Sequence, residues 1–221
     1  MKKKELKQAF QEGLIDEQKY KEELFKMETA PKVSKLRRKL PVSISPEEFD
    51  LLLQHTQKEK FKVAFIFGYA AGLRLSEIVG GIREDGSIMK PLTEEKIDLH
   101  SKTIRIEDAK GGKDRIVPVP KGFKTQYLKM LPLTQGYANI PSARRNMEKA
   151  FKRSCDRAGL LKIKPSLHFH SLRHGFGSRL ANTGVPVHQI RTLMGHSNIS
   201  TTNVYLEANP KEAMDNYEKR F

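Results

Sequence analysis

The segment from Phe61 to Ala71 constrains this chain most. Phe61, Val63, Ala64, Phe65, Ile66, Phe67, Tyr69, Ala70 and Ala71 leave it almost no polar face. A helix that is apolar all round has to be enclosed, so the rest of the chain must build a core around this one. Gly72 breaks the helix. The next residues, Leu73-Arg74-Leu75-Ser76-Glu77-Ile78, set a single arginine at a helix junction between apolar neighbours. Its aliphatic stem can snorkel past a core, but a guanidinium half withdrawn from water wants an anion, either Glu77 or something external.

The 221 residues suffice for one domain of ordinary size and a small appendage. Residues 1–30 read as a helical hairpin, with Leu6, Phe10 and Leu14 on one stripe, Gly13 as a C-terminal cap, and Tyr20, Leu24 and Met27 on the second stripe. Residues 31–41 form a basic linker, in which Lys35, Arg37, Arg38 and Lys39 stand without an acidic neighbour between two prolines. Such a run either tracks a phosphate backbone or is simply solvated.

The main domain spans residues 42–221. It opens on a helix signalled by Ser45 as N-cap, Pro46 at the first position and Glu48 where a capping box needs it. Residues 80–91 read as a polar loop rich in turn residues. Alternation at Thr103-Ile104-Arg105-Ile106, a Gly111-Gly112 turn and a return at Arg115–Val119 predict a β-hairpin, its tip flanked by Lys110 and Lys113. A short helix is expected near Phe123–Leu131. A basic helix is expected over Ser142–Ala158, with Met147, Ala150, Phe151 and Cys155 inward and Arg144, Arg145, Lys149, Lys152 and Arg153 mostly outward. The fold class is therefore α+β, mainly α-helical.

Lys and Arg outnumber Asp and Glu by 41 to 26, a formal charge of +15 that points to a polyanionic partner or to a merely basic soluble protein. Cys155 is the single cysteine, which excludes an intramolecular disulfide and a thiolate metal cluster and suits a reducing compartment. No apolar run reaches the roughly 20 residues of a membrane span, and no apolar signal core follows the Lys-rich start. The expectation is a soluble, cytoplasmic protein without a membrane partner.

His168-Phe169-His170-Ser171-Leu172-Arg173-His174 opens a further helix ending near Gly184, with His170 and Arg173 three apart on one face. A helix patterned by Val187, Ile190, Leu193 and Met194 follows. His196 comes just past its end, Tyr205 lies on a short Ser/Thr-rich helix, and a last helix covers Pro210–Phe221.

Five motifs in this order resemble the catalytic domain of the tyrosine recombinase family, which includes the phage integrases and Xer proteins. They are Gly72-Leu73-Arg74-Leu75-Ser76-Glu77, Lys110-Gly111-Gly112-Lys113, His170-Ser171-Leu172-Arg173-His174, Leu193-Met194-Gly195-His196, and Tyr205. The likeness covers residues 41–221. It implies a site-specific DNA strand transferase that works through a covalent 3′-phosphotyrosyl intermediate, on double-stranded DNA, with self-association into a dimer or tetramer. Arg74 and Arg173 would grip the scissile phosphate, whose developing charge suits two planar, permanently charged forks. Tyr205 would be the nucleophile, His170 its base or orienting group, Lys110 the general acid for the departing 5′ oxygen, and His196 a hydrogen-bond donor to the phosphate. Glu77 and His174 would brace the site.

No metal and no cofactor is expected. His170 and His174, four apart with His168 nearby, do offer a zinc-like spacing, but no Glu follows in the metalloprotease manner and Arg173 would repel a cation. A tyrosine on a short helix is commonly a core residue, and the spacing of Tyr205 from Gly195-His196 is what favours the nucleophile. Family members usually carry an additional N-terminal domain that closes a clamp around DNA, and residues 1–41 are too few for one. The alternatives are an accessory DNA-binding protein of the same fold and a relaxing enzyme of the type IB topoisomerase kind.

Overall fold

The computed structural model describes residues 3–29, 41–83, 85–107 and 114–195. Lys35, Arg37, Arg38, Lys39, Lys110, Lys113, His196, Tyr205 and the expected helix at 210–221 lie outside the described residues. The chain divides into two compact units, Met1–Lys39 and Leu40–Phe221.

The first unit is a helical hairpin of α1 (Lys3–Gln11) and α2 (Glu17–Thr29). The rings of Phe10 and Tyr20 stack across it at 4.7 Å. The Asp16 carboxylate accepts the Lys19 N–H at 2.7 Å and so caps α2. Leu14 does not join the first stripe as expected. Helix α1 ends at Gln11, the chain turns through Gly13, and Leu14 is left 71 % exposed beyond the helix.

In the second unit, α3 (Pro46–Gln54) begins on the anticipated capping box. Ser45 Oγ accepts the Glu48 N–H at 3.2 Å, and Glu48 Oε2 accepts the Ser45 N–H at 2.8 Å. Helix α4 (Glu59–Ala70) is the buried helix, with Val63, Ala64, Phe65 and Phe67 removed from solvent. Helices α3, α6 (Ile140–Arg157) and α8 (His170–Asn182) enclose it, with a 3-10 turn at Thr125–Met130. Phe65 meets Phe151 of α6 edge-on at 5.5 Å and Phe169, just ahead of α8, at 5.9 Å. Each such buried ring stabilises the fold by about 2 to 3 kcal/mol through lost apolar surface.

Gly72 takes a left-handed φ of +67° and turns the chain from α4 into α5 (Leu75–Val79). A Cβ there would stand 2.4 Å from the Phe176 ring, so both the backbone conformation and the packing require glycine. That turn delivers Arg74 to the N-terminus of α5.

The β structure is fuller than one hairpin. Strands β3 (Ile97–Asp98), β4 (Thr103–Ile106) and β5 (Arg115–Pro118) form an antiparallel sheet in that order, with Ile104 opposite Val117 and Ile106 opposite Arg115. Ile104, Ile106 and Val117 face the core. Arg115 shares their face, and Ile116 points out, 62 % exposed.

The segment read as a polar loop contains a two-stranded ribbon, β1 (Gly81–Ile82) with β2 (Ile88–Met89). It closes because Asp85 accepts the Ser87 N–H and Arg83 exchanges backbone bonds with Ser87 and Gly86. Helix α6 starts two residues earlier than Ser142, because Asn139 is the cap and Ser142 occupies the third helical position, where its N–H bonds Asn139 Oδ1 at 2.9 Å. After α7 (Leu160–Ile163) and α8, helix α9 (Val187–Met194) packs Ile190 and Met194 against Phe176 and Ala181 of α8. Among the described residues no helix is long and apolar enough to cross a membrane.

Candidate active site

The last turn of any α-helix leaves backbone carbonyls without intrahelical partners. At the end of α9 three consecutive ones are taken up by three different arginines. Leu193 O accepts from Arg115 Nε at 3.0 Å, Met194 O from Arg173 Nη2, and Gly195 O from Arg74 Nη2 at 3.1 Å. Gly195 caps the helix at φ +60°, and a Cβ there would come within 3.0 Å of the Arg115 side chain. Positive charge at a helix C-terminus is also favoured by the helix dipole. Segments far apart in sequence, around residues 74, 115 and 173, thus converge on the residue that precedes His196.

Glu77 ties two of these arginines together. It occupies the third position of α5, and its carboxylate accepts the Arg74 backbone N–H at 2.7 Å and Arg74 Nη1 at 2.9 Å. It also receives both Arg115 Nη atoms, at 2.8 and 2.9 Å. Its side chain is 1 % exposed. Burial opposes its ionisation, yet the hydrogen bonds and charge of Arg115, followed by the charges of Arg173 and Arg74, outweigh that cost and hold its pKa at about 2. Glu77 is a buried carboxylate held ionised by guanidinium groups.

Of the two arginines expected to grip a phosphate, Arg74 is the more open, 19 % exposed. Arg173 is 1 % exposed and donates Nη1 to Gly72 O at 2.5 Å and Nη2 to Met194 O. It lies beneath the site and fixes the Gly72 turn to the end of α9. His170 starts α8, and its ring meets that of His174 edge-on at 4.9 Å and stacks 6.4 Å from His168.

Burial, then the charge of Arg173, then those of His168 and Arg74, push His170 down to about 4, with Glu77 opposing. The imidazole, which still opens to solvent, is therefore neutral at pH 7. His174, deeper in the helix, is also pushed to about 4, by burial first and then by His170, His168 and Arg173. Among the described residues no cluster of three His, Cys, Asp or Glu side chains is arranged to hold a metal ion.

Arg74, Ser76, His168 and His170 open onto a groove of about 970 Å³. The outward face of α6 supplies its other wall through Arg144, Arg145, Lys149, Lys152 and Arg153, with Glu148 among them. Met147, Ala150, Phe151 and Cys155 anchor the opposite face of α6 in the core. The core packing of one helix therefore aims a row of cations into the same groove as Arg74. Arg115 is the residue that sequence reasoning missed. Its signal was parity: it precedes Val117 by two and so shares the buried face of β5.

Residues 43–212 match the phage integrase family. A tyrosine recombinase XerA from Thermococcus onnurineus is 31% identical over 214 residues, covering 90% of this chain and 68% of the relative. A tyrosine recombinase from Thermosipho africanus is 29% identical over 198 residues, covering 84% of this chain and 64% of the relative. The chain thus spans roughly two thirds of the length of these relatives.

Among solved structures, a XerA recombinase superposes with a TM-score of 0.57 at 22% identity, covering 82% of this chain and 66% of that one. XerH, captured with a palindromic difH substrate in a post-cleavage complex, gives 0.62 at 19% identity, over 81% of this chain and 53% of that one. The fold is that of a tyrosine recombinase catalytic domain. The chain belongs to the phage integrase family.

Proposed function

We propose that this chain is the catalytic part of a site-specific recombinase that cuts and rejoins double-stranded DNA through a phosphotyrosine at Tyr205, without a metal ion. The observation that carries the reading is the convergence of Arg74, a neutral His170 and the basic face of α6 on one groove, with Arg173 braced directly beneath. A duplex backbone lying along α6 brings a phosphate to Arg74. The recombinases of known structure, XerH with its difH substrate among them, share this fold.

In the proposed reaction the Tyr205 hydroxyl attacks the scissile phosphorus, the P–O5′ bond breaks, and a 3′-phosphotyrosyl bond forms. The 5′ oxygen leaves as a hydroxyl with a proton from Lys110. Ionising a tyrosine of pKa about 10 at pH 7 costs about 4 kcal/mol. His170, neutral and thus able to accept the proton, lowers that cost. Charge growing on the non-bridging oxygens is met by Arg74, Lys110 and His196, while Arg173 adds its positive charge from beneath, so the guanidinium groups supply the stabilisation a cation would otherwise give. Lys35, Arg37, Arg38, Lys39, Lys113 and the α6 cations hold the flanking backbone, and two or four copies assemble on paired sites.

A nicked suicide duplex, which loses its 5′ fragment after cleavage, tests this reading on a denaturing gel. The wild-type chain gives a covalent protein–DNA band, unaffected by EDTA, and Tyr205→Phe gives none while binding the duplex with similar affinity. An adduct with Tyr205→Phe would move the nucleophile elsewhere. Binding without any wild-type adduct would leave an accessory DNA-binding protein.

A further inference from the structure

Glu77 is one carboxylate serving two arginines, and the sharing is uneven. Arg115 engages both carboxylate oxygens with both Nη atoms, whereas Arg74 reaches only Oε1 with its side chain and keeps Nη2 for the Gly195 carbonyl. The third donor direction of Arg115, Nε, goes to Leu193 O. All three nitrogens of Arg115 are therefore bonded inside the protein, and its side chain is only 5 % exposed. It has no access to a phosphate in the groove.

A buried ion pair is weak grounds for a purely stabilising role, since apolar residues of the same volume commonly do as well. What apolar residues cannot do is occupy Glu77. Without Arg115, the carboxylate would be free to turn and take the Arg74 guanidinium in a bidentate pair, which cancels its charge and draws it back from the groove. With Arg115 in place, two guanidiniums face one carboxylate, and the surplus positive charge rests on the more exposed of them, Arg74. The same side chain lies against Gly195 and holds the end of α9 that leads to His196. Lysine, with a point charge and no fork, could not make all three contacts.

We propose that Arg115 is a positioning residue for strand cleavage: by saturating Glu77 and bonding Leu193 O, it keeps the charge and the outer edge of Arg74 available to the scissile phosphate. This rests on the recombinase reading above. The test compares suicide duplexes carrying an ordinary phosphodiester or a methylphosphonate at the scissile position, because a neutral phosphonate makes less demand on a cation.

On the phosphodiester, Arg115→Met slows adduct formation about 100-fold, the size of effect seen when one transition-state donor is lost. Arg115→Lys, which restores charge but not the fork, slows it about 10-fold. DNA affinity of both stays within about threefold of wild type, since no phosphate contact is removed. On the methylphosphonate both defects, taken relative to wild type, shrink to about threefold or less, as does that of Arg74→Lys.

Equal losses on the two substrates, or wild-type rates for both variants, would overturn the proposal. Should Arg115→Met not fold, Arg115→Lys carries the same comparison. A wild-type chain that forms no adduct on the phosphodiester refutes the recombinase reading itself, and the positioning role with it. A wild-type adduct with unselective variant losses refutes only the role of Arg115.

Discussion

Replacing Glu77 by glutamine removes the negative charge while keeping nearly the same volume, and its effect can be worked from two directions. The carboxylate is 1 % exposed and titrates at about 2, against an ordinary value of 4.5. A depression of that size corresponds to about 3 kcal/mol of stability at pH 7. Independently, breaking a buried ion pair on one side costs about 3 to 5 kcal/mol, because the partner, here Arg115, is left charged and unsolvated. The two routes agree, so Glu77→Gln should lose about 3 kcal/mol in urea denaturation at pH 7.

The pH dependence supplies the sharper test. A carboxylate with a lowered folded pKa stabilises fully above its unfolded value and loses that contribution as pH falls toward the folded one. The gap between wild type and variant should therefore hold steady from pH 7 to about 5, and should have narrowed by about 2 kcal/mol at pH 3. A loss below about 1 kcal/mol at pH 7, or a gap that does not narrow on acidification, would refute the account of Glu77 as a charge held by its arginines.

Gly72→Ala puts a left-handed φ on a residue that resists it and a Cβ into the Phe176 ring, so urea denaturation should show a loss of about 3 kcal/mol or more. His174 has a folded pKa of about 4, below the ordinary 6.5, so the unfolded chain takes up the proton first and stability falls as pH drops from 6.5 toward 4. His174→Gln should flatten that part of the stability curve, and unchanged slopes would count against the burial of the imidazole. If the α6 cations contact a duplex, Arg145→Gln, Lys149→Gln and Arg153→Gln should each reduce the slope of log Kd against log salt by about 0.9, measured by fluorescence anisotropy.

Much of the architecture was legible because local chemistry and tertiary packing agree. Ser45 and Glu48 announce α3, the all-apolar run from Phe61 demands enclosure, and the inward set of α6 follows its helical period. What escaped was decided at long range. Arg115 faces inward beside Val117 and leaves Ile116 in solvent, because a carboxylate 38 residues away in sequence and a helix end 78 away need its guanidinium more than the core needs an isoleucine. Alternation within β5 groups Arg115 with Val117, but it does not say that their face, and not that of Ile116, turns inward. The ribbon at residues 81–89 was missed for the opposite reason: strands of two residues have no periodicity to read, and side-chain bonds at Asp85 and Ser87 hold the turn. The resemblance implies a phosphate role for Arg173, and no pattern in the sequence reveals that its guanidinium is buried against Gly72 O and Met194 O.

A rigid object held at one point can swivel, and at two points it can still hinge. The carbonyls of Leu193, Met194 and Gly195 give the end of α9 three points, set by α5, β5 and α8. It is seated in the manner of a kinematic mount, where each support removes a motion the other two allow. The chain that continues toward His196 and Tyr205 starts from that seat. The alignment of that helix end is therefore only as good as the least well placed of three separate parts of the fold, and a small core substitution near any one of them should be felt at the far end of the other two.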